Sequence, residues 1–172
     1  MDLLSKIRDV PDFPKKGVLF KDITTLLKEG PAYHEAIDKM VEMLQESKIQ
    51  IDKVAAVESR GFIFGAAIAY KLGVGIVPVR KLGKLPAATV SVDYSLEYGI
   101  NTVEMHTDGV ERGEHVLVVD DLLATGGTTR AAIELVEKVG GIVSGVMFLI
   151  ELEFLNGRQT LGDYPTFALL KY

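Results

Sequence analysis

The residues best suited to chemistry collect in one stretch, "VLVVDDLLATGGTT", residues 116–129. Four apolar residues run into Asp120 and Asp121, and Ala124, Thr125, Gly126, Gly127 and Thr128 follow closely. A threonine–glycine–glycine–threonine run that leaves a strand and opens a helix presents backbone N–H groups and hydroxyls to one point. The helix N-terminus adds partial positive charge there. Glycine lets the main chain reach an anion with no Cβ in the way. The same small residues also suit a plain strand-to-helix turn. Two common nucleotide signatures are absent: G-x-x-x-x-G-K-[ST] and G-x-G-x-x-G.

The aspartates decide between these readings. Carboxylates repel phosphate, but they accept hydrogen bonds from vicinal hydroxyls and can organise magnesium, often through water. Helix capping would use one aspartate and leave the other unexplained. A ligand with one phosphate for the cradle and a ribose diol for the carboxylates satisfies both halves. A pyrophosphate with its Mg²⁺ could lie alongside, and phosphoribosyl pyrophosphate has all these parts.

Other charged residues fall where such a ligand needs them. Arg60 follows the apolar run "VAAV" (54–57); its guanidinium is a planar fork for phosphate oxygens, and Ser59 with the Gly61 backbone adds donors. An arginine there could equally form a surface salt bridge. Arg80, Lys81 and Lys84 follow another apolar run. Lys84 is expected to be a solvated loop charge, while Arg80 and Lys81 are placed to meet pyrophosphate. Glu97 is the one acid between Tyr94 and Gly99. In a closing lid it would be desolvated and its pKa would rise toward a value useful for proton transfer. His34, His106 and His115 share no motif and read as structural or solvated, so no transition-metal site is expected.

The elements that must position these residues alternate along the chain. Ile37, Met40, Val41 and Leu44 mark one face of a helix that has Pro31 near its start. Residues 54–57, 74–79, 115–121, 142–152 and 166–172 read as strands. Helices follow over 61–73 and after 128, the second stopped by Gly140 and Gly141. Near-continuously apolar strands separated by helices predict a parallel sheet covered on both faces. Ligands of such sheets bind beyond the carboxyl ends of the strands, just after residues 57, 79 and 119. Residues 80–101 fit neither period well, and a connection of that length is usually a lid or binding loop. The alternation in "TVSVDYSL" also permits a β-hairpin arm.

Composition sets bounds. A length of 172 residues suits one domain, 1–172, and a net charge of −5 argues against general nucleic-acid binding. There are no cysteines, which excludes disulfides, thiolate zinc sites and cysteine nucleophiles and suits a reducing compartment. No apolar run approaches a membrane span, so a soluble cytoplasmic domain without membrane contact is expected.

The 116–129 string resembles the phosphoribosyl-pyrophosphate signature of the type I phosphoribosyltransferases. "DFPKKGVLFKDIT" (12–24), "ESRGFIFG" (58–65), "RKLGKLP" (80–86) and "SLEYG" (95–99) are similar, in order and separation, to the adenine phosphoribosyltransferases. The resemblance covers nearly the whole chain. It implies the α/β type I phosphoribosyltransferase fold, with a central parallel sheet flanked by helices. An N-terminal hood over 1–30 and a flexible lid loop over 80–101 would complete it, in a homodimer. The implied reaction moves phosphoribosyl to N9 of adenine and gives AMP and pyrophosphate. Mg²⁺ would be bound mainly through substrate and water near Asp120 and Asp121, without a direct protein cage.

The resemblance also assigns roles. The Arg60 loop takes pyrophosphate, with a strained peptide, of the kind that can be cis, near Glu58–Ser59. Glu97 is the acid/base at the purine, and Tyr98 adds packing or a phenolic hydrogen bond. The main chain of Leu19 and Lys21 reads N6 and N1 of adenine, with Phe20 stacked on the ring. Two rival functions stand beside this: transfer to another purine such as xanthine or guanine, and a non-catalytic sensor of phosphoribosyl pyrophosphate.

Overall fold

The computed structural model describes residues 1–96 and 98–172, in two compact units, Met1–Lys39 and Met40–Tyr172. The first unit contains β1 (Arg8–Val10) and β2 (Phe20–Asp22), an antiparallel pair in which Arg8 faces Asp22 and Asp9 faces Lys21. Opposite charges thus meet across both positions, a favourable cross-strand arrangement. A short α1 (Thr24–Leu27) follows, and then α2 (Gly30–Ser47), within which the unit boundary falls. The expected apolar face of α2 is buried at Ile37, Met40, Val41 and Leu44.

The second unit carries β3 (Lys53–Val57), α3 (Arg60–Leu72), β4 (Gly75–Lys81), β5 (Thr89–Leu96) and β6 (Gly99–His106). It continues with β7 (His115–Leu123), α4 (Gly127–Lys138), β8 (Ile142–Glu151), α5 (Gly157–Leu161) and β9 (Thr166–Lys171). Seven strands form one sheet in the order β5-β6-β4-β3-β7-β8-β9. The pairs from β4 through β9 by way of β3 are parallel, whereas β6 runs antiparallel to both β4 and β5. The core gathers Val57, Val79, Val116, Val118 and Val146 from the strands with Ala132, Leu135 and Val136 of α4.

This order places the site. From β3 the chain crosses to β4 on one side, then returns to β7 on the other, so the order reverses between β3 and β7. A crevice opens at such a switch point. The register levels Val57 with Val79 and Ala56 with Val119, bringing the residues after all three to one edge.

Residues 80–101 are largely strand. Arg80 and Lys81 complete β4, and β5 pairs with β6 from Thr89↔His106 to Leu96↔Gly99. The alternation in "TVSVDYSL" is the cause: Val92 and, across from it, Val103 are buried, so one face of the hairpin has core to cover. One-turn segments at Leu4–Lys6, Thr24–Leu27 and Gly157–Leu161 gave no periodic signal because they are shorter than a period can register.

Candidate active site

Two adjoining cavities occupy the crevice edge of the second unit. The smaller, of about 80 Å³, is walled by Asp120, Leu122, Ala124, Thr125, Gly126, Gly127, Thr128 and Thr129. It lies where β7 ends and α4 begins, so the expected cradle of residues 124–128 surrounds one point. β7 pairs with β3 only as far as Val119, leaving the β3 side of Asp120 open toward the crevice. The larger cavity, of about 590 Å³, has Ser59, Arg60, Lys81, Asp120, Asp121 and Thr128 in its wall.

The carboxylates differ in their surroundings. Asp120 Oδ1 accepts the backbone N–H of Asp121 at 2.8 Å. Burial, followed by the neighbouring Asp121 carboxylate, pushes the Asp120 pKa well above the ordinary carboxylate value. Asp121 is itself buried and meets Arg60, Nε to Oδ2, at 2.8 Å. The salt bridge is thus formed, and Asp121 holds the guanidinium in the wall of the larger cavity. Gly61 makes this approach possible, because a Cβ there would lie 2.9 Å from Asp120 Oδ1 and 3.0 Å from the Val119 carbonyl.

The peptide Glu58–Ser59 is cis, as the resemblance implied. Glu58 organises the cationic edge: its carboxylate accepts the Lys81 N–H at 2.5 Å and stands 3.1 Å from Lys84 Nζ and 3.5 Å from Arg80 Nη2. Burial alone would raise the Glu58 pKa; the Lys81 N–H, Lys84 and Arg80 together outweigh it and hold the carboxyl below its usual value. Lys84 thus departs from expectation, because it is paired with a partly buried acid and not merely solvated. Arg80 turns to the same acid, and its Nε is buried without a hydrogen-bond partner in the structure. Lys81 lines the larger cavity.

Tyr94, Leu96 and Asn101 also line the larger cavity, and none was singled out from the sequence for binding. A signal was present, since Tyr94 continues the Val90–Val92 face and stands opposite Asn101. Glu97 lies outside the described residues. Tyr98 is exposed at the hairpin tip.

The first unit has its own pocket, about 290 Å³, walled by Val10, Phe13, Phe20, Asp22 and Thr24. Phe13 and Phe20 meet edge to face, with ring centroids 5.1 Å apart. Lys21 is drawn to Asp9 at 2.7 Å, so its side chain has a structural partner while its backbone belongs to β2. Leu19, just ahead of β2, is half exposed. The Thr24 N–H, then Arg8 and the Thr24 hydroxyl, lower the Asp22 pKa to about 2. His115 pairs with Asp52 and His34 with Asp38, both at 3.3 Å, as structural or solvated histidines would.

A mostly parallel α/β sheet with a glycine- and threonine-lined cavity and paired carboxylates at its switch point is the architecture of the phosphoribosyltransferase class. The chain belongs to the phosphoribosyl transferase domain family, whose model matches residues 24–151, and within it to the adenine phosphoribosyltransferases. It is 56% identical over 171 residues to adenine phosphoribosyltransferase of Chloroflexus aurantiacus, covering 99% of this chain and 98% of that protein. Identity to the Brachyspira hyodysenteriae adenine phosphoribosyltransferase is 54%, over the whole of both.

Among solved structures, the adenine phosphoribosyltransferase of Thermoanaerobacter pseudethanolicus superposes with a TM-score of 0.96 at 51% identity, over 99% of this chain and 98% of that one. The Saccharomyces cerevisiae adenine phosphoribosyltransferase, complexed with an imino-altritol bisphosphate and adenine, gives 0.94 at 39% identity, over 98% and 96%. No helix among the described residues is long and apolar enough to cross a membrane.

Proposed function

We infer that this enzyme transfers the phosphoribosyl group of phosphoribosyl pyrophosphate to N9 of adenine, giving AMP and pyrophosphate, a purine-salvage reaction. The observation that carries this reading is the meeting of a cavity walled by residues 124–129 with two carboxylates at one crevice. Full-length relatives of the same activity support the choice of base.

Residues 124–128 take the 5′-phosphate on backbone N–H groups and threonine hydroxyls. Asp120 and Asp121 accept hydrogen bonds from the ribose diol. Ser59, Arg60 and Lys81, with Arg80 behind them, hold the pyrophosphate as its bond to C1′ breaks and negative charge builds on the leaving oxygen. The sugar left behind has oxocarbenium character, and the protein must orient the base and keep water away. Leu19 and Lys21 read adenine through the main chain, with Phe20 on the ring and Tyr98 beside it. Glu97 moves the purine proton as the N9–C1′ bond forms.

The β5–β6 hairpin acts as the lid. Slower proteolysis within 80–101 when Mg²⁺ and phosphoribosyl pyrophosphate are bound tests this, and equal cleavage marks a rigid arm.

A Mg²⁺ fits the donor set. Two carboxylates beside a phosphate site suit an ion that keeps most of its water and takes its remaining ligands from the substrate. Bound there, it would neutralise charge on the departing pyrophosphate. The reading includes a cytoplasmic homodimer, and the cysteine-free sequence suits that reducing compartment.

Pyrophosphate release in the presence of adenine, hypoxanthine, guanine or xanthine tests the proposal. Turnover with adenine alone is expected. Faster turnover with a 6-oxopurine would favour the other-base enzyme, and ligand binding without turnover would favour a sensor.

A further inference from the structure

The one-turn helix α5 stands behind the phosphate cradle, and nothing in the proposed chemistry uses it. The two meet backbone to backbone. A Cβ on Gly157 would lie 2.4 Å from the Ala124 carbonyl oxygen, and a Cβ on Gly126 would lie 2.8 Å from the Gly157 carbonyl oxygen. Gly126 also has φ +91°, a conformation that glycine adopts at little cost. Thr160 completes the contact, with its Cβ 3.1 Å from the same Gly126 position.

A helix of five residues cannot hold itself in place, so its tethers decide where it sits. Arg158 Nε and Nη2 each donate to one oxygen of Glu151 at 2.7 Å, and Nη1 donates to the Thr166 carbonyl at 2.8 Å. Glu151 is buried at the end of β8, level with Leu123 of β7, the residue before the cradle. At the other end of α5, Arg130 Nη1 donates to the Leu161 carbonyl at 3.2 Å, while the Arg130 N–H donates to the Gly126 carbonyl at 2.9 Å. Strand, cradle, α4, α5 and β8 thus form a closed ring, and the Arg158–Glu151 fork closes it.

We propose that Arg158 is a positioning residue for the 5′-phosphate: by clamping α5 to Glu151, it fixes the backing that aims the cradle amides of residues 124–127. The proposal rests on the assignment of that cradle to the 5′-phosphate. The planar fork matters because it sets orientation as well as attraction, and lysine can supply only a point charge. Displacing binding groups by about 1 Å can cost roughly a hundredfold.

The test titrates ribose 5-phosphate, ribose and pyrophosphate into wild type, Arg158→Lys, Arg158→Met and Gly157→Ala, with steady-state kinetics on each. Arg158→Lys should bind ribose 5-phosphate roughly tenfold more weakly, and Arg158→Met and Gly157→Ala up to about a hundredfold. Affinity for pyrophosphate should stay unchanged, which also reports an intact crevice. KM for phosphoribosyl pyrophosphate should rise more than kcat falls. Gly157→Ala leaves the ion pair in place, so it carries the test if Arg158→Met does not fold. Unchanged ribose 5-phosphate affinity in the folded variants, or equal losses for ribose 5-phosphate and pyrophosphate, would overturn the proposal alone. Wild type that binds ribose as well as ribose 5-phosphate would overturn the cradle assignment and this proposal together.

Discussion

The two units present opposite kinds of surface. The pocket of Met1–Lys39 is walled by Val10, Phe13 and Phe20, whereas the large cavity of Met40–Tyr172 is walled by Arg60, Lys81, Asp120 and Asp121. An apolar aromatic wall suits a flat heterocycle, which it holds by stacking and reads by the edges of nearby backbone. A wall of charges suits phosphates and hydroxyls, each needing a partner of definite sign. Under the proposed function, specificity and chemistry have separate seats in this chain. One should be changeable without the other.

The largest expected effect tests the first seat. Main-chain reading at Leu19 and Lys21 presents a C=O to N6 and an N–H to N1 of adenine. A 6-oxopurine inverts both contacts, leaving buried groups unpaired, and sites built this way reject the wrong partner by ~10⁴ or more. Measured kcat/KM for adenine and hypoxanthine should differ on that scale. Lys21→Ala should barely change the ratio, because its side chain is engaged with Asp9. Similar values for the two bases would end the main-chain assignment.

Next in size is the loss of a charge in the second unit. Asp121→Asn should lower kcat/KM for phosphoribosyl pyrophosphate by roughly ten- to a hundredfold, from about 1.5–3 kcal/mol for a hydrogen bond to a charged group. The ratio between bases should not move. A change in that ratio would join the two seats that the comparison separates.

Phe20→Ala is expected to raise KM for adenine roughly tenfold through the loss of stacking, with KM for phosphoribosyl pyrophosphate preserved. An equal rise in both constants would mean that Phe20 acts on the whole domain.

The smallest effect concerns stability. Because burial and Asp121 raise the pKa of Asp120, its ionisation is harder in the folded state than in the unfolded chain. The penalty is absent below the unfolded value, near 3.9, and grows as pH rises toward the folded value. Asp120→Asn should therefore raise Tm, by about 2–4 °C for each kcal/mol relieved, and by more at pH 8 than at pH 4. Activity should fall in the same variant, as at a site that trades stability for function. Melting curves of both proteins at the two pH values check the sign.

Much of the site was legible because it is local. Asp120, Leu122 and residues 124–128 wall one cavity, and Ser59, Arg60 and Lys81 reach its neighbour, because each follows or ends an apolar strand run. The pairing of Lys84 and Arg80 with Glu58 was not legible. It joins residues 22 and 26 positions apart through a carboxylate that only the folded sheet brings between them. Residues 80–101 read as a loop because exposed positions such as Ser91 and Asp93 interrupt the apolar pattern, as they do in any edge hairpin with one solvated face.

By itself, the sequence determined the alternation of strand and helix, the cradle at 124–128 and the chemistry of the ligand, since side-chain periods and short motifs are properties of neighbouring residues. Only the tertiary structure decided that Asp121 would hold Arg60, that Glu58 would gather three cationic positions, and that Arg158 would clamp a helix against the back of the cradle. Those contacts depend on strand order and register, which bring distant residues within hydrogen-bonding reach, and no local pattern encodes that order.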